Sequence, residues 1–349
     1  MKTQHLQSSY GYFQNDGTEF VITDPDTPRP WLNYSWNARF IAAVSQHGGG
    51  DGAYKERALQ YIDPRGRNLI CRDGHRYFYV RDEKDSEFWS PGWHPAHVRL
   101  DSYSCTHGLG YSLIESSYRG IDVQMRWFVP EHAPCEIWTI KVTNRRDEAA
   151  SLKWFTFVDL LLAGYPAYCD YYSTLHGEYD NESGIVGGFN GSPDRTHEWF
   201  NAFIASDLKP AGFDTSRRAF LGTYGQANSP DAVVAGACTN SLAANEKMVA
   251  ATEHRFHLEA GESSAFTIII GACENMNTAR HVLSGFRSHQ AVEDEFAALK
   301  RRKEQMIENL IIRTPDQKIN YLVNGWLKQQ VQIYRSEEHT SELQSLLII

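Results

Sequence analysis

From about residue 10 to about residue 275, apolar side chains recur at every second position in short runs cut by Gly, Pro, Asn and Asp, and hardly any stretch keeps a 3.6-residue period. Such a segment is nearly all β. Residues 121–129 alternate most clearly, with Ile121, Val123, Met125, Trp127 and Val129 on one face and Asp122, Gln124 and Arg126 on the other, so one face covers a core. Residues 136–144 and 151–159 follow, with the polar turn Asn144-Arg145-Arg146-Asp147 between them. Three strands joined by short polar turns predict an antiparallel meander. A later pair, 255–258 and 264–270, brackets Glu259-Ala260-Gly261-Glu262, and the β region closes near Gly271.

After Asn277 the period changes. Val292, Phe296, Leu299, Met306 and Leu310 step at helical spacings through a charged run, which predicts a long, mostly exposed linker helix. Pro315 sits where a new helix can start, and Ile319, Leu322, Val323, Trp326 and Val331 form a second apolar stripe. That stripe needs a partner. From Arg335 the periodicity breaks abruptly; residues 335–349 are similar to translated sequencing adapter, and the natural chain is expected to continue beyond Tyr334.

With 349 residues, 42% of them apolar, the chain is long enough for about two domains and a sizeable core. A formal net charge of -9 and the lack of a basic stripe argue against nucleic acid as the main ligand. No run has signal-peptide or membrane-spanning character, so no membrane partner and a cytoplasmic location are expected. The six cysteines, Cys71, Cys105, Cys135, Cys169, Cys238 and Cys273, form no CxxC pair and read as buried free thiols. The sequons at Asn33, Asn181 and Asn190 read as chance matches.

Little in the sequence announces chemistry. His47-Gly48-Gly49-Gly50-Asp51-Gly52 lacks the GK[ST] ending of a phosphate loop and reads as a tight turn where backbones approach closely. The pairs His94/His97 and His254/His257 are three apart, but one contains Pro and the other alternates like a strand, so no metal is expected. No GxSxG elbow is present, and Asp82-Glu83-Lys84-Asp85-Ser86-Glu87 reads as a solvated loop. The aromatic residues, 13% of the chain, are the unusual element: Trp31, Tyr34, Trp36, Trp89 and Trp93 cluster near prolines and glycines, and Tyr165, Tyr168, Tyr171 and Tyr172 crowd one loop. They suit either packing or a platform for the C–H face of a sugar.

Tyr10-Gly11-Tyr12-Phe13, Glu19-Phe20-Val21-Ile22-Thr23, Pro25-Asp26-Thr27-Pro28-Arg29-Pro30-Trp31-Leu32-Asn33-Tyr34, Tyr79-Val80-Arg81-Asp82, Trp89-Ser90-Pro91-Gly92-Trp93, His107-Gly108-Leu109-Gly110-Tyr111 and Phe128-Val129-Pro130 are specific. In their order and approximate spacing the chain resembles glycoside hydrolase family 94, the cellobiose, cellodextrin and chitobiose phosphorylases and their relatives, from about residue 10 to Tyr334. Residues 45–51 depart from the family's usual Asn-Ala-Gly-Gly-Tyr type of turn, and Trp36 stands where a small residue is common.

The resemblance implies a mainly β fold. Residues 1–275 would be a β-supersandwich of galactose-mutarotase-like type, 276–313 a helical linker, and 314–334 the first helix of an (α/α)6 barrel that is otherwise absent. It implies reversible, inverting phosphorolysis of a β-linked disaccharide or oligosaccharide, with inorganic phosphate as co-substrate of the full-length parent and no other cofactor. The catalytic Asp and phosphate-binding residues belong to the barrel, so no catalytic residue is expected here and the 349-residue chain is expected to be inactive. Family members are typically homodimers in which a loop of this domain reaches the mouth of the partner's active site. The loop after strand 151–159 maps there, with Tyr168, Asp170 and Tyr172 as substrate-binding candidates. A stand-alone carbohydrate-binding module, the phosphorylase module of a cyclic β-glucan synthase, and a complete hydrolase on a supersandwich are the alternatives.

Overall fold

The computed structural model describes residues 8–54, 68–69, 71–160, 162, 175–191 and 201–338. In chain order the first strands are β1 (Gly11–Gln14), β2 (Glu19–Ile22), β3 (Leu32–Trp36), β4 (Phe40–Ser45), β5 (Gly52–Tyr54), β6 (Asn68–Leu69) and β7 (Cys71–Asp82). Then come β8 (Phe88–Trp89), β9 (Ser102–Gly108), β10 (Tyr111–Tyr118), β11 (Ile121–Phe128), β12 (Cys135–Asn144) and β13 (Ala150–Leu160). The last are β14 (Leu175–Asp180), β15 (Ile185–Asn190), β16 (Asn201–Ser206), β17 (Gly212–Ser216), β18 (Met248–Leu258) and β19 (Ser263–Cys273). Two short helices, α1 (Arg217–Leu221) and α2 (Asp231–Ala235), interrupt the strands; α3 (Met276–Gly285) and α4 (His289–Glu308) follow them. Finally α5 (Gln317–Tyr321) runs through a π-helical turn, Leu322–Trp326, into α6 (Leu327–Glu338).

Ten strands form one sheet in the order β1-β2-β9-β10-β11-β12-β19-β16-β15-β14, and five form a second, β17-β18-β13-β7-β8. A third sheet of four strands, β3-β4-β5-β6, completes the β region. Between the large sheets lies a core rich in Trp: Trp89, Trp127, Trp138 and Trp154 are all buried, with Phe78 wedged 4.8 Å from Trp138 and 5.6 Å from Trp154. Burial of each such side chain contributes about 1.5–3 kcal/mol. The outer face of the ten-stranded sheet is covered by α3 and α4, which set Val282, Leu283, Val292 and Leu299 against Phe128, Ile137, Phe203 and Ile269. The outer face of the five-stranded sheet is covered by α1 and α2, whose Phe220, Leu221 and Val233 meet Tyr77, Tyr79, Phe155 and Phe157.

The predicted meander is only half present. Strand β11 pairs with β12, Ile121 opposite Asn144 and Phe128 opposite Ile137, but β12's other neighbour is β19. Strand β13 crosses to the second sheet, between β7 and β18. It is apolar on both faces through Phe155, Phe157, Val158 and Leu160, and it takes a central place in the second sheet, where such a run is covered on both sides. The return connection between β18 and β19 crosses at the same edge. There Asn144 and Gly261 hold the two crossings together, Asn144 N–H donating to Glu262 O and Gly261 N–H to Asn144 O, each at 2.9 Å.

Helix α4 is capped by Ser288, whose hydroxyl accepts from Ala291 N–H, and it docks through cations as well as apolar contacts. Arg126 lies 4.2 Å from the Phe296 ring and pairs with Glu293, Lys300 faces Tyr111 at 5.7 Å, and Lys303 Nζ sits 4.0 Å from the Trp36 ring. Of the predicted second stripe, Trp326 finds a partner: its indole N–H donates to Gly17 O at 2.7 Å and the ring packs near Phe13. Ile319, Leu322 and Val331 remain exposed. Among the described residues no helix is long and apolar enough to cross a membrane.

Candidate functional site

The candidates Tyr168, Asp170 and Tyr172 lie outside the described residues, as do Tyr165 and Tyr171. What is described is the end of the sandwich from which that segment departs. Strand β13 stops at Leu160, opposite Cys71 of β7, and the Asn190 side chain at the end of β15 donates to Leu162 O at 3.3 Å. Ends of strands from both large sheets therefore meet here.

Two side-chain groups furnish this end. Asp159, buried at the end of β13, accepts an ion-paired hydrogen bond from Arg217 Nε at 3.1 Å. Tyr77 on the neighbouring strand stacks on Phe157 with centroids 5.9 Å apart, and its hydroxyl is pushed up to about 12 by burial and then by the Asp159 charge. It stays protonated and can donate.

Next to Tyr77 lies a stack of imidazoles. His94 is 5.3 Å from Tyr77, 5.6 Å from His47 and 4.9 Å from His97, while Trp93 closes on His97 at 4.4 Å and on His47 at 5.4 Å. The cluster is built by two turns. The first is the Gly-rich turn between β4 and β5, where a Cβ on Gly50 would lie 2.1 Å from Ala43 O, so the expected close backbone approach is present. The second is Trp89-Ser90-Pro91-Gly92-Trp93, where a Cβ on Gly92 would lie 2.0 Å from His47 O. Only glycine lets the two turns touch. Trp93 and His97 both adopt left-handed backbone angles, φ 73° and 56°, and the His94–Pro95 peptide is cis.

Beneath the first turn Arg76 is fully buried. It donates to Gly48 O at 3.2 Å and Ala43 O at 2.9 Å and pairs with Glu136 at 2.5 Å; Trp127 Nε1 donates to the other Glu136 oxygen at 2.7 Å. Burial pushes the Glu136 carboxyl up, an effect that Arg76 opposes. The core ion pair thus clamps the turn that presents His47. His47 itself donates Nε2–H to Pro25 O at 2.7 Å, and burial, aided by His97, holds it below the usual imidazole range, so it is neutral at pH 7.

These imidazoles meet by their rings rather than by converging nitrogens, and among the described residues no group of three His, Cys, Asp or Glu is arranged to hold a metal. His254 and His257 fall on opposite sides of β18, one buried and one exposed, as strand alternation requires. The buried carboxylates are occupied: Asp82 pairs with Arg146, Glu253 with Arg255, and Asp214 accepts from Thr239 and Ser241. Asp82 thereby departs from its expected solvated loop, whose remaining members are exposed or half-buried. Cys105, Cys135, Cys238 and Cys273 are buried free thiols, as expected; Cys105 and Cys273 are pushed far up by burial and cannot serve as nucleophiles. Asn33 is buried, its amide donating to Gly108 O, Tyr111 O and Ser112 Oγ, so that sequon is inaccessible.

The expected aromatic platform divides. Trp89 is core, Trp36 carries Lys303, Trp93 joins the histidines, and Trp31 packs 5.7 Å from Phe20. Sequence spacing gave no sign of the histidine stack, since His47 and His94 approach only through pairing across two turns. The Gly92 of the Trp89–Trp93 motif was the available signal. A further cleft of about 320 Å3, lined by Phe13, Phe20, Lys318, Tyr321, Leu322 and Trp326, lies where α5 meets β1 and β2.

The family model described as glycosyl hydrolase 94, supersandwich domain, matches residues 18–289. Solabiose phosphorylase of Paenibacillus borealis is 45% identical over 326 residues, covering 93% of this chain and 42% of that protein. N,N'-diacetylchitobiose phosphorylase of Vibrio proteolyticus is 28% identical over 339 residues, covering 93% of this chain and 40% of that protein. Cyclic beta-(1,2)-glucan synthase NdvB of Rhizobium meliloti is 26% identical over 335 residues, covering 93% of this chain and 11% of that protein. The chain spans about two fifths of the length of the two phosphorylases.

Proposed function

Because the chain belongs to the glycosyl hydrolase 94 supersandwich family, we propose that it is the carbohydrate-binding and dimerisation domain of an inverting β-glycoside phosphorylase. The observation that carries this reading is the 45% identity, across 93% of the chain, to a protein named solabiose phosphorylase. In the reaction, inorganic phosphate attacks the anomeric carbon of a β-linked disaccharide from the face opposite the glycosidic oxygen. The carbon–oxygen bond breaks, the leaving oxygen takes a proton from one carboxylic acid, and the products are an α-sugar 1-phosphate and a free sugar. Phosphate takes the place of the base-activated water of an inverting hydrolase, so one acid is enough.

In this reading that acid and the phosphate-binding groups are supplied by a helical barrel whose first helix is 314–334, and the 349 residues alone turn over no substrate. Their part is to pair with a second copy and to present Tyr168, Asp170 and Tyr172 at the mouth of its acceptor site. The built end of the sandwich, with Asp159–Arg217, Tyr77 and the clamped His47 turn, supports a loop being positioned there. Likeness to the cyclic glucan synthase keeps a phosphorylase module of such a synthase as the second reading.

The test is sugar 1-phosphate release from phosphate and solabiose, cellobiose or N,N'-diacetylchitobiose, by the 349 residues and by the product of the complete reading frame. Release is expected from the complete product only, and Tyr168→Ala, Asp170→Asn or Tyr172→Ala in it should raise the acceptor KM in the synthetic direction more than they lower kcat. Release by the 349 residues alone, or hydrolysis that ignores phosphate, would overturn the proposal.

A further inference from the structure

A polar pocket of about 410 Å3 lies outside the site described above, where α1 and α2 meet the end of β17, lined among others by Arg218, Thr223, Asp231, Ser241 and Glu246. Its volume falls in the range of small-molecule sites. Two features are unusual. Arg218 and Asp231 share this pocket, yet among the described residues neither charged group has a hydrogen-bond or ion-pair partner, while Glu246 spends one oxygen on the Ser216 hydroxyl at 3.0 Å. Beside Thr223, Tyr224 is 96% exposed, and Leu242, which lines the pocket, is 56% exposed. An aromatic side chain left almost wholly in water forfeits the burial that aromatic residues usually supply.

We propose that this pocket binds a pyranose unit of a neutral oligosaccharide. The charges decide against simple ions: an anion meets the carboxylates of Asp231 and Glu246, and a cation meets the Arg218 guanidinium. A vicinal diol satisfies both, because each hydroxyl donates to a carboxylate oxygen and accepts from a guanidinium N–H, in the charge-assisted bonds that are the stronger kind. The Thr223 hydroxyl adds a partner of the same type, whereas the Ser241 hydroxyl is committed, donating to Asp214 at 2.7 Å and accepting from Ser216 N–H at 3.3 Å. Tyr224, the exposed neighbour in sequence of the lining residue Thr223, then offers a ring face for the apolar C–H face of the sugar. Apart from Arg217, which pairs with Asp159 and does not line this pocket, nothing in the phosphorolysis reading assigns a role to the α1–α2 pair, so this surface would hold a glycan without chemistry, and the Tyr224, Arg218 and Asp231 variants test it apart from the phosphorylase reading.

The experiment is saturation-transfer NMR on the full 349-residue chain with cellopentaose, laminaripentaose and maltopentaose, followed by titration of whichever binds. Tyr224, Arg218 and Asp231 are exposed, so their variants keep the fold, which an unchanged Tm verifies. At least one oligosaccharide should bind, Tyr224→Ala and Asp231→Ala should each weaken it about tenfold or more, and Tyr224→Phe should retain it. Absence of binding by all three probes at about 10 mM overturns the proposal, as does binding that Tyr224→Ala and Arg218→Ala/Asp231→Ala leave unchanged.

Discussion

Acid should unfold this domain earlier than its carboxylates alone would dictate, because two histidines are buried as neutral rings. His107 donates Nε2–H to Trp31 O at 3.0 Å and accepts at Nδ1 from the Ser112 hydroxyl at 2.7 Å. His254 donates Nε2–H to Leu208 O at 3.0 Å, and its Nδ1 has no partner. Burial lowers both from 6.5 to about 4, each opposed by its backbone hydrogen bond. Between those limits the unfolded chain binds protons that the folded chain refuses, so stability rises with pH and is lost as pH falls from 6.5 toward 4.

One pKa unit corresponds to about 1.4 kcal/mol, so acidification from pH 6.5 to about 5 should cost about 2 kcal/mol per histidine and about 4 for the pair. That is a large part of the roughly 5–15 kcal/mol that holds a domain folded. Glu136 and Asp207, both pushed up by burial, act with the opposite sign and His47 with the same sign, so the informative quantity is a difference between variants. Urea unfolding followed by Trp fluorescence at several pH values should give His254→Gln and His107→Gln a slope shallower than wild type by about 1.4 kcal/mol per pH unit each, whatever their absolute stability. Equal slopes in wild type and both variants, or His107 and His254 resonances titrating near 6.5, would refute the reasoning.

Arg76→Met should destabilise the domain by about 3–5 kcal/mol in urea unfolding, since it strands Glu136 without its partner. Arg76→Met/Glu136→Leu should recover much of that loss, and a double-mutant cycle measures the difference. The exposed Ile319, Leu322, Leu327 and Val331 should drive concentration-dependent association of the 349-residue chain; Ile319→Lys/Leu322→Lys should move its sedimentation toward monomer, with Trp326 still anchored at Gly17.

The strands were legible because period-2 alternation survives wherever one face meets a core. Residues 121–129 are observed as Ile121–Phe128, and the change to helical spacing after Asn277 corresponds to α3 and α4. What alternation does not encode is which sheet a strand joins. The short turns after β12 and β18 look like hairpin turns, yet both cross between sheets, and since β13 and β19 are each buried on two faces in different sheets, the pattern of the next strand does not tell which sheet it joins. The long helix was legible as amphipathic, whereas its docking through Arg126, Lys300 and Lys303 on aromatic rings was hidden in residues that read as solvent-facing.

The histidine stack was hidden for a related reason. His47 belongs to a Gly-rich turn and His94 to a Pro-Gly turn, and they meet only because Gly92 carries no side chain against His47 O. The same turn is held from below by Arg76, which hydrogen-bonds Gly48 O and Ala43 O while paired to Glu136 in the Trp-lined core. Stability and presentation of the site therefore share residues. A buried ion pair gains little over apolar packing in free energy, but here the guanidinium ties one carbonyl of the turn, Gly48 O, to one of strand β4, Ala43 O, which apolar contacts could not orient. Its geometric effect is to place His47 and, through it, His94 and Tyr77 beside the strand end from which the candidate loop departs. The Arg76–Glu136 pair thus clamps this end of the sandwich from the core outward.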